Sequence, residues 1–316
     1  MGTTDVLSRF ILGCATIGNL SRPVSDDDAM AQLREAWNAG VRNFDTAPHY
    51  GVGLSEERLG RFLGGRDRSE FVLSTKVGRL LVPTDSREDG VEGFFSTPQR
   101  ARVRDYSRDG VRRSIEESCE RLGVDNVDIA LIHDPDDFER DALTFAYPAL
   151  VELRDEGTVK AIGLGMNQVP MLERFVAKTD IDCVLVAGQY SLLNAEAGRG
   201  FFQLCESRNV AVFVGGVFNS GILANPSGGQ YRYAPPIEEV ANRVRAIDHV
   251  CQRYGVELAA AALHYVLRNP SVTAVVVGSR SARDVLENIG NLRAEVPEAL
   301  YVDLIDSGLV DPGSNS

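Results

Sequence analysis

Three short apolar runs in this chain end in ionisable groups. Val41 to Phe44 leads into Asp45, Phe71 to Thr75 leads into Lys76, and Asp128 to Ile132 leads into His133. A fourth group, Tyr50, follows Asp45 on a turn marked by Pro48 and Gly51. A free phenol has a pKa of about 10, too high for easy proton exchange at neutral pH. A lysine ammonium beside it stabilises the phenolate, and a carboxylate beside a desolvated lysine keeps that lysine charged. Histidine adds a directional donor for a substrate oxygen. Together Asp45, Lys76, Tyr50 and His133 form a general acid/base set suited to interconverting a carbinol and a carbonyl. Each also has a plainer role alone. Asp45 could cap the turn, Lys76 reach solvent, His133 sit satisfied in a core, and Tyr50 simply pack.

The chemistry requires that the strand ends share one face. Eight runs read as strands: 10–14, 41–45, 71–75, 128–133, 159–164, 183–187, 211–214 and 273–277. They are continuously apolar, as in a parallel sheet buried on both sides. Helical patterns separate them. Ser25 with Asp26, Asp27 and Asp28 caps a helix that buries Met30, Leu33, Ala36 and Trp37 and stops at Gly40. Further helices are expected at about 55–63, 108–122, around Leu150 and Leu153, after Pro170, at 201–208, 237–254 and 258–267, and from near Ser281. Two long segments, 77–105 and 215–236, read as irregular loops, and loops of that length are usually functional or disordered. The tail from Asp306 is expected to be loosely held. Strict alternation of strand and helix predicts a closed (β/α)8 TIM barrel forming one domain over residues 1–316. In such barrels catalytic groups sit at the C-terminal strand ends.

Composition narrows the partners. The formal net charge is −12 over 316 residues, which argues against nucleic acid or an anionic membrane surface. Five widely spaced cysteines without a CxxC read as reduced thiols, and no HExxH or clustered ligand set suggests a metal. No run has the length of a membrane span, and the first residues lack a signal-peptide core, so a cytoplasmic location is expected.

With these flanks the set resembles the catalytic tetrad of the aldo-keto reductases. Phe44-Asp45-Thr46-Ala47-Pro48-His49-Tyr50-Gly51 looks like the family's first signature. The segment 153–163 is similar to its approach to strand five, and Gly278-Ser279-Arg280-Ser281 through Glu287-Asn288 to its cofactor end. The resemblance covers nearly the whole chain. It implies a nicotinamide dinucleotide bound in extended form without a Rossmann domain. Accordingly Gly163-Leu164-Gly165 reads as a strand-end turn, not a dinucleotide fingerprint. Carried over by resemblance, Asn167 and Gln189 would bond the carboxamide, and Tyr190 would stack on the nicotinamide. Ser220 and Gly221 would follow the diphosphate, and Ser279, Arg280, Glu287 and Asn288 would surround the adenosine. Where the family commonly has serine before the asparagine, this chain has Met166. Asp284 stands where NADP-binding members often carry arginine, which favours NAD, with NADP possible through Arg280 and Arg283.

The segments 215–223 and 231–236 resemble the sugar-oxidising branch, the D-threo-aldose 1-dehydrogenases that act on L-fucose or galactose. That implies oxidation of an aldose at C1 to the aldonolactone, with Tyr50 handling the proton. Phe94, Tyr106, Asp134, Tyr147 and Phe218 are candidates for the substrate wall. A pyridoxal 4-dehydrogenase, or a general aldehyde or ketone reductase, is the alternative substrate reading. A cofactor-sensing regulatory subunit on the same barrel is the alternative of another class.

Overall fold

The computed structural model describes residues 3–86, 89–231 and 234–311. Ten strands run through them: β1 (Phe10–Gly13), β2 (Asn43–Asp45), β3 (Val72–Val77), β4 (Arg79–Pro83), β5 (Arg100–Arg104), β6 (Val127–His133), β7 (Val159–Met166), β8 (Cys183–Ala187), β9 (Ala211–Gly215) and β10 (Val272–Gly278). Eight of these close a parallel barrel in the order β1-β10-β9-β8-β7-β6-β3-β2, the TIM-barrel architecture expected from the sequence. Helices that follow the strands pack around the outside, and β4 and β5 form a separate two-stranded ribbon.

Two apolar layers hold the barrel. The larger lies between strands and helices and includes Leu33, Phe44, Leu73, Ile115, Ile132, Leu164, Phe175 and Val214. Each such side chain contributes about 1.5–3 kcal/mol when fully buried. The smaller joins Leu131, Cys183 and Leu185 to Ile129, Ala187, Ala211, Phe213 and Val276. Strand residues alternate between two faces. On β6, Ile129, Leu131 and His133 therefore share a face, and the apolar inner layer leads up to the histidine. Parallel register sets Asp45 beside Ser74, Lys76 beside Leu131, and His133 beside Gly165.

The helix boundaries follow the expected chemistry. Ser25 Oγ accepts from the Asp28 amide at 3.1 Å, with three aspartates in the first turn. Ser107 and Ser281 cap the helices Arg108–Leu122 and Ala282–Arg293 in the same way, and left-handed Gly123 ends the first of these.

Three features differ from expectation. The segment 77–105 is not wholly irregular, because β4 and β5 pair antiparallel from Arg79–Arg104 to Pro83–Arg100. Leu80 and Leu81 are buried, while the partner strand carries arginine at every second position. The charged alternation masks the ribbon in the sequence. The chain past 297 forms a helix, Glu298–Asp306, that buries Leu300, Tyr301 and Leu304, and Val310 beyond it is buried too. Only residues 312–316 of the expected loose tail lie outside the described residues. Finally, Gly163-Leu164-Gly165 lies within β7 rather than in a turn after it. Within the 231–236 segment, Arg232 and Tyr233 lie outside the described residues.

Candidate active site

The strand ends bring Asp45 and Lys76 into direct contact. Asp45 is 3% exposed and Lys76 2%. Lys76 Nζ donates to Asp45 Oδ2 at 2.7 Å and to the Thr46 carbonyl at 2.9 Å, and Ser74 Oγ donates to Asp45 Oδ1 at 2.9 Å. Burial alone would push the lysine pKa down. Asp45 and Tyr50 outweigh it, and the ammonium is held above its ordinary range.

Tyr50 is carried over this pair by the turn after β2. Its ring centroid lies 4.7 Å from Lys76 Nζ. The turn is fixed by a close backbone approach: a Cβ on Gly18 would fall 2.8 Å from the Tyr50 carbonyl, and Gly51, at φ +63°, abuts Gly18 from the other side. Arg58 on the helix Leu54–Leu63 locks the Gly18 loop. It donates to the Ile17 and Val24 carbonyls and Asn19 Oδ1 at 2.7–2.9 Å and pairs with Asp26 at 2.8 Å. Burial pushes the Tyr50 phenol up to about 12, with Lys76 pulling against it. The lysine therefore acts in the expected direction, but burial wins, and the phenol is protonated at neutral pH.

His133 completes the group. Its ring lies 5.9 Å from that of Tyr50 and perpendicular to it. Burial, then Lys76, holds its pKa well below the ordinary value, so the imidazole is neutral. The Tyr106 hydroxyl donates to its carbonyl at 2.7 Å and steadies the strand end.

A second set surrounds these four residues, and the sequence reading passed over most of it. His49 packs against His133 and Phe94 at 5.4 and 5.1 Å, and burial, with Arg79 and Arg102 next, lowers its pKa to about 2. Phe94 lies 6.1 Å from Tyr50 with its ring nearly parallel. The ribbon supplies Arg79, which pairs with Asp134 Oδ2 at 3.1 Å and Glu92 Oε2 at 3.2 Å. It also supplies Arg102, which donates to the His49 carbonyl at 3.1 Å. His49 Nδ1 lies 3.1 Å from Glu92 Oε2, and His133 Nε2 lies 3.5 Å from Asp134 Oδ2. The period-two arginines at 100, 102 and 104 were the signal that could have revealed the ribbon. Of the wall candidates, Phe94, Tyr106 and Asp134 are here. Tyr147 bonds Asp180, a partner well away from the four, and Phe218 packs against the outer core.

The residues assigned to a dinucleotide follow the ends of β7, β8, β9 and β10. Gln189 donates to the Asn167 carbonyl at 2.7 Å and accepts from Asn194 at 2.8 Å, which joins the ends of β7 and β8. Asn219 and Ser220 have positive φ (46° and 61°), and Gly221 follows at φ +102° with open space where a Cβ would be. Such a run of left-handed backbone, half-buried at Ser220 and Gly221, is one a phosphate can approach closely. Ser279 is buried and accepts from Asn288 at 3.1 Å, and the Arg22 guanidinium donates to the Arg280 carbonyl at 3.0 Å. Glu287 lies on the exposed helix face, paired with Arg283 at 2.6 Å. Asp284 accepts from Ser281 Oγ at 2.7 Å and from the Arg280 amide and guanidinium. Tyr190 is placed elsewhere. It is 3% exposed, its ring is stacked on Tyr265 and edged by Phe202, and its hydroxyl accepts from Asn269. A ring enclosed this way has no open face for a nicotinamide.

Comparison with known proteins decides the family. Residues 9–304 match the Aldo/keto reductase family. The chain is 41% identical to a D-threo-aldose 1-dehydrogenase from a Pseudomonas species, over 94% of this chain and 93% of that one. The chain belongs to the aldo/keto reductase family. It is an NAD(P)-dependent oxidoreductase, as the members of that family are. A pyridoxal 4-dehydrogenase from Microbacterium luteolum is 37% identical over 95% of this chain and 93% of its own. A glycerol dehydrogenase from Gluconobacter oxydans shares the fold, with TM-score 0.77 and 21% identity over 96% of this chain and 94% of its own. Among the described residues no helix is long and apolar enough to cross a membrane.

Proposed function

We propose that this aldo-keto reductase oxidises an aldose at its anomeric carbon to the aldonolactone, with NAD as the preferred acceptor. The C1–H leaves as hydride with its electron pair, the C1 hydroxyl proton passes to the deprotonated form of Tyr50, whose own proton has first gone to solvent, and the C1–O bond becomes the lactone carbonyl. Lys76 stabilises the Tyr50 phenolate, Asp45 keeps Lys76 charged, and neutral His133 orients the substrate oxygen. The bound dinucleotide supplies the hydride acceptor and, in its oxidised form, a positive charge. Asn167 and Gln189 would meet its carboxamide, Ser220 and Gly221 its diphosphate, and Ser279, Arg280, Glu287 and Asn288 its adenosine. The observation that carries the reaction class is the sealed Asp45–Lys76 pair, 2.7 Å apart beneath Tyr50. The substrate class is supported by the 41% identity to an aldose dehydrogenase across nearly the full chain.

NAD is favoured because the arginines of the 280–283 segment already face carboxylates, Arg280 toward Asp284 and Arg283 toward Glu287. A 2′-phosphate would have to compete for them, whereas a ribose hydroxyl would not. The test is turnover of L-fucose, D-arabinose, L-galactose, pyridoxal and simple aldehydes with NAD and with NADP. The expected result is sugar oxidation with a lower KM for NAD. Turnover of no sugar would overturn the substrate assignment. The 37% identical pyridoxal 4-dehydrogenase supports pyridoxal as the second reading.

A further inference from the structure

We propose that Asp134 reads the hydroxyl next to the oxidised carbon, as part of a polar collar that selects substrates bearing vicinal hydroxyls. The proposal rests on the aldose reading above. The collar is a run of close contacts beside His133, in which His49 Nδ1 makes no hydrogen bond. His133 Nε2 lies 3.5 Å from Asp134 Oδ2, which lies 3.1 Å from Arg79 Nη2. Arg79 Nη1 lies 3.2 Å from Glu92 Oε2, which lies 3.1 Å from His49 Nδ1, and the His49 ring meets the His133 ring at 5.4 Å.

Burial divides the collar into supports and contacts. The Arg79 and His49 side chains are 7% and 11% exposed, whereas those of Asp134 and Glu92 are 31% and 45% exposed. The carboxylates are thus the members open to a ligand. Both also have left-handed backbones, φ 42° at Asp134 and 51° at Glu92. Non-glycine residues adopt that region at a cost, and such strain concentrates at ligand clamps. Position makes Asp134 the discriminating member. If His133 Nε2 holds the C1 oxygen, the ring oxygen and the C2 hydroxyl of a pyranose are its nearest polar neighbours, and only the hydroxyl can donate to a carboxylate. A carboxylate oxygen 3.5 Å from that nitrogen is within reach of the C2 hydroxyl. Arg79 occupies one approach to Oδ2, but an ionised carboxylate has several acceptor sites and accepts from a hydroxyl as well. A site built to bond a hydroxyl rejects the analogue lacking it far better than a site that merely has room.

The experiment is a cycle between enzyme and substrate. The kcat/KM values of L-fucose and 2-deoxy-L-fucose are compared in the wild-type enzyme and in Asp134→Asn. Asparagine keeps the shape and tolerates the left-handed backbone, so the variant is expected to fold. The wild type should prefer the 2-hydroxylated sugar by about 10- to 100-fold, the range of a lost hydrogen bond to a charged group. In Asp134→Asn that preference should shrink by about fivefold, because a neutral amide oxygen replaces the charged acceptor of the same contact. A preference that persists undiminished in the variant overturns the proposal. So does a wild type with no preference, and that arm needs no variant at all. A wild type that oxidises no aldose but turns over pyridoxal removes the aldose reading and this proposal together, and the substrate panel alone identifies that case.

Discussion

Lys76→Met is the sharpest test of the charge arrangement. It removes the cation and leaves a flexible chain of similar length in the same slot. Asp45, 3% exposed, would keep its bond from Ser74 but lose its 2.7 Å partner. Breaking a buried pair by removing one partner costs about 3–5 kcal/mol, because a buried charge is left uncompensated. The double variant Asp45→Asn/Lys76→Met removes both charges and should cost only on the order of 1–2 kcal/mol, mainly rearranged hydrogen bonds. It should therefore be more stable than the single variant, although it carries one more substitution. Urea unfolding at pH 7 with unchanged m-values measures both quantities. The kinetics supply a second readout. Lys76 pulls the Tyr50 pKa down against burial, so removing it should move the rise of sugar oxidation with pH to higher pH. A single variant that loses under about 1 kcal/mol, or a double variant no more stable than the single, would refute the buried-pair argument.

Other consequences are equally measurable. Tyr50→Phe keeps the ring contacts with Phe94 and His133 and loses the proton carrier. Turnover should fall by about 10²–10⁴-fold while the dinucleotide dissociation constant, read by NADH fluorescence, changes little. Gly51→Ala meets the Gly18 carbonyl at φ +63° and must displace the Tyr50 turn, so kcat should drop and the melting temperature fall. His49 and His133 are neutral in the fold with depressed pKa values, so the unfolded chain binds protons that the folded chain does not. Stability from this source is complete above a pH of about 6.5 and is lost as pH falls below it; His49→Asn should flatten that decline in pH-dependent unfolding. Tyr50 has the opposite sign. Its raised pKa gives stability that is present below the ordinary phenol value and lost as pH rises through about 12, so Tyr50→Phe should lose less stability over that range than the wild type.

How much of this was legible depended on whether one physical signal dominated locally. The eight barrel strands were readable because both of their faces are buried, which writes continuous apolar runs such as Val184 to Val186. Asp45, Lys76 and His133 stood out because a charge ending such a run has few structural uses. The β4–β5 ribbon was hidden because its partner strand faces polar groups at the barrel mouth, so its alternation is written in arginines. The collar was hidden with it, since Arg79 and Glu92 come from that segment and the Asp134 contact depends on them. Tyr190 shows the opposite failure. It directly follows Gln189, which does lie at the strand-end face, but both sit in a bend after β8 and the Tyr190 side chain turns into the outer core. The aromatic ring that sequence proximity offered to the cofactor is instead enclosed by Tyr265 and Phe202.

Strand alternation explains why the lysine can be buried at all. Inward positions beside and below it carry Leu131, Cys183 and Leu185, an apolar layer that offers no compensation to a charge. In such a setting an unpaired ammonium would give up its proton. Asp45, the Thr46 carbonyl and Tyr50 surround Lys76 from the mouth side. The apolar layer thus makes the charge depend on those few partners, and the partners direct it toward Tyr50. A polar residue placed in that layer would relax the dependence. Leu131→Gln should therefore weaken the coupling between Lys76 and Tyr50, and the rising limb of sugar oxidation should move to higher pH as it does in Lys76→Met, only less. An unshifted limb in a folded Leu131→Gln would mean that the mouth-side partners hold the lysine without help from the layer beneath.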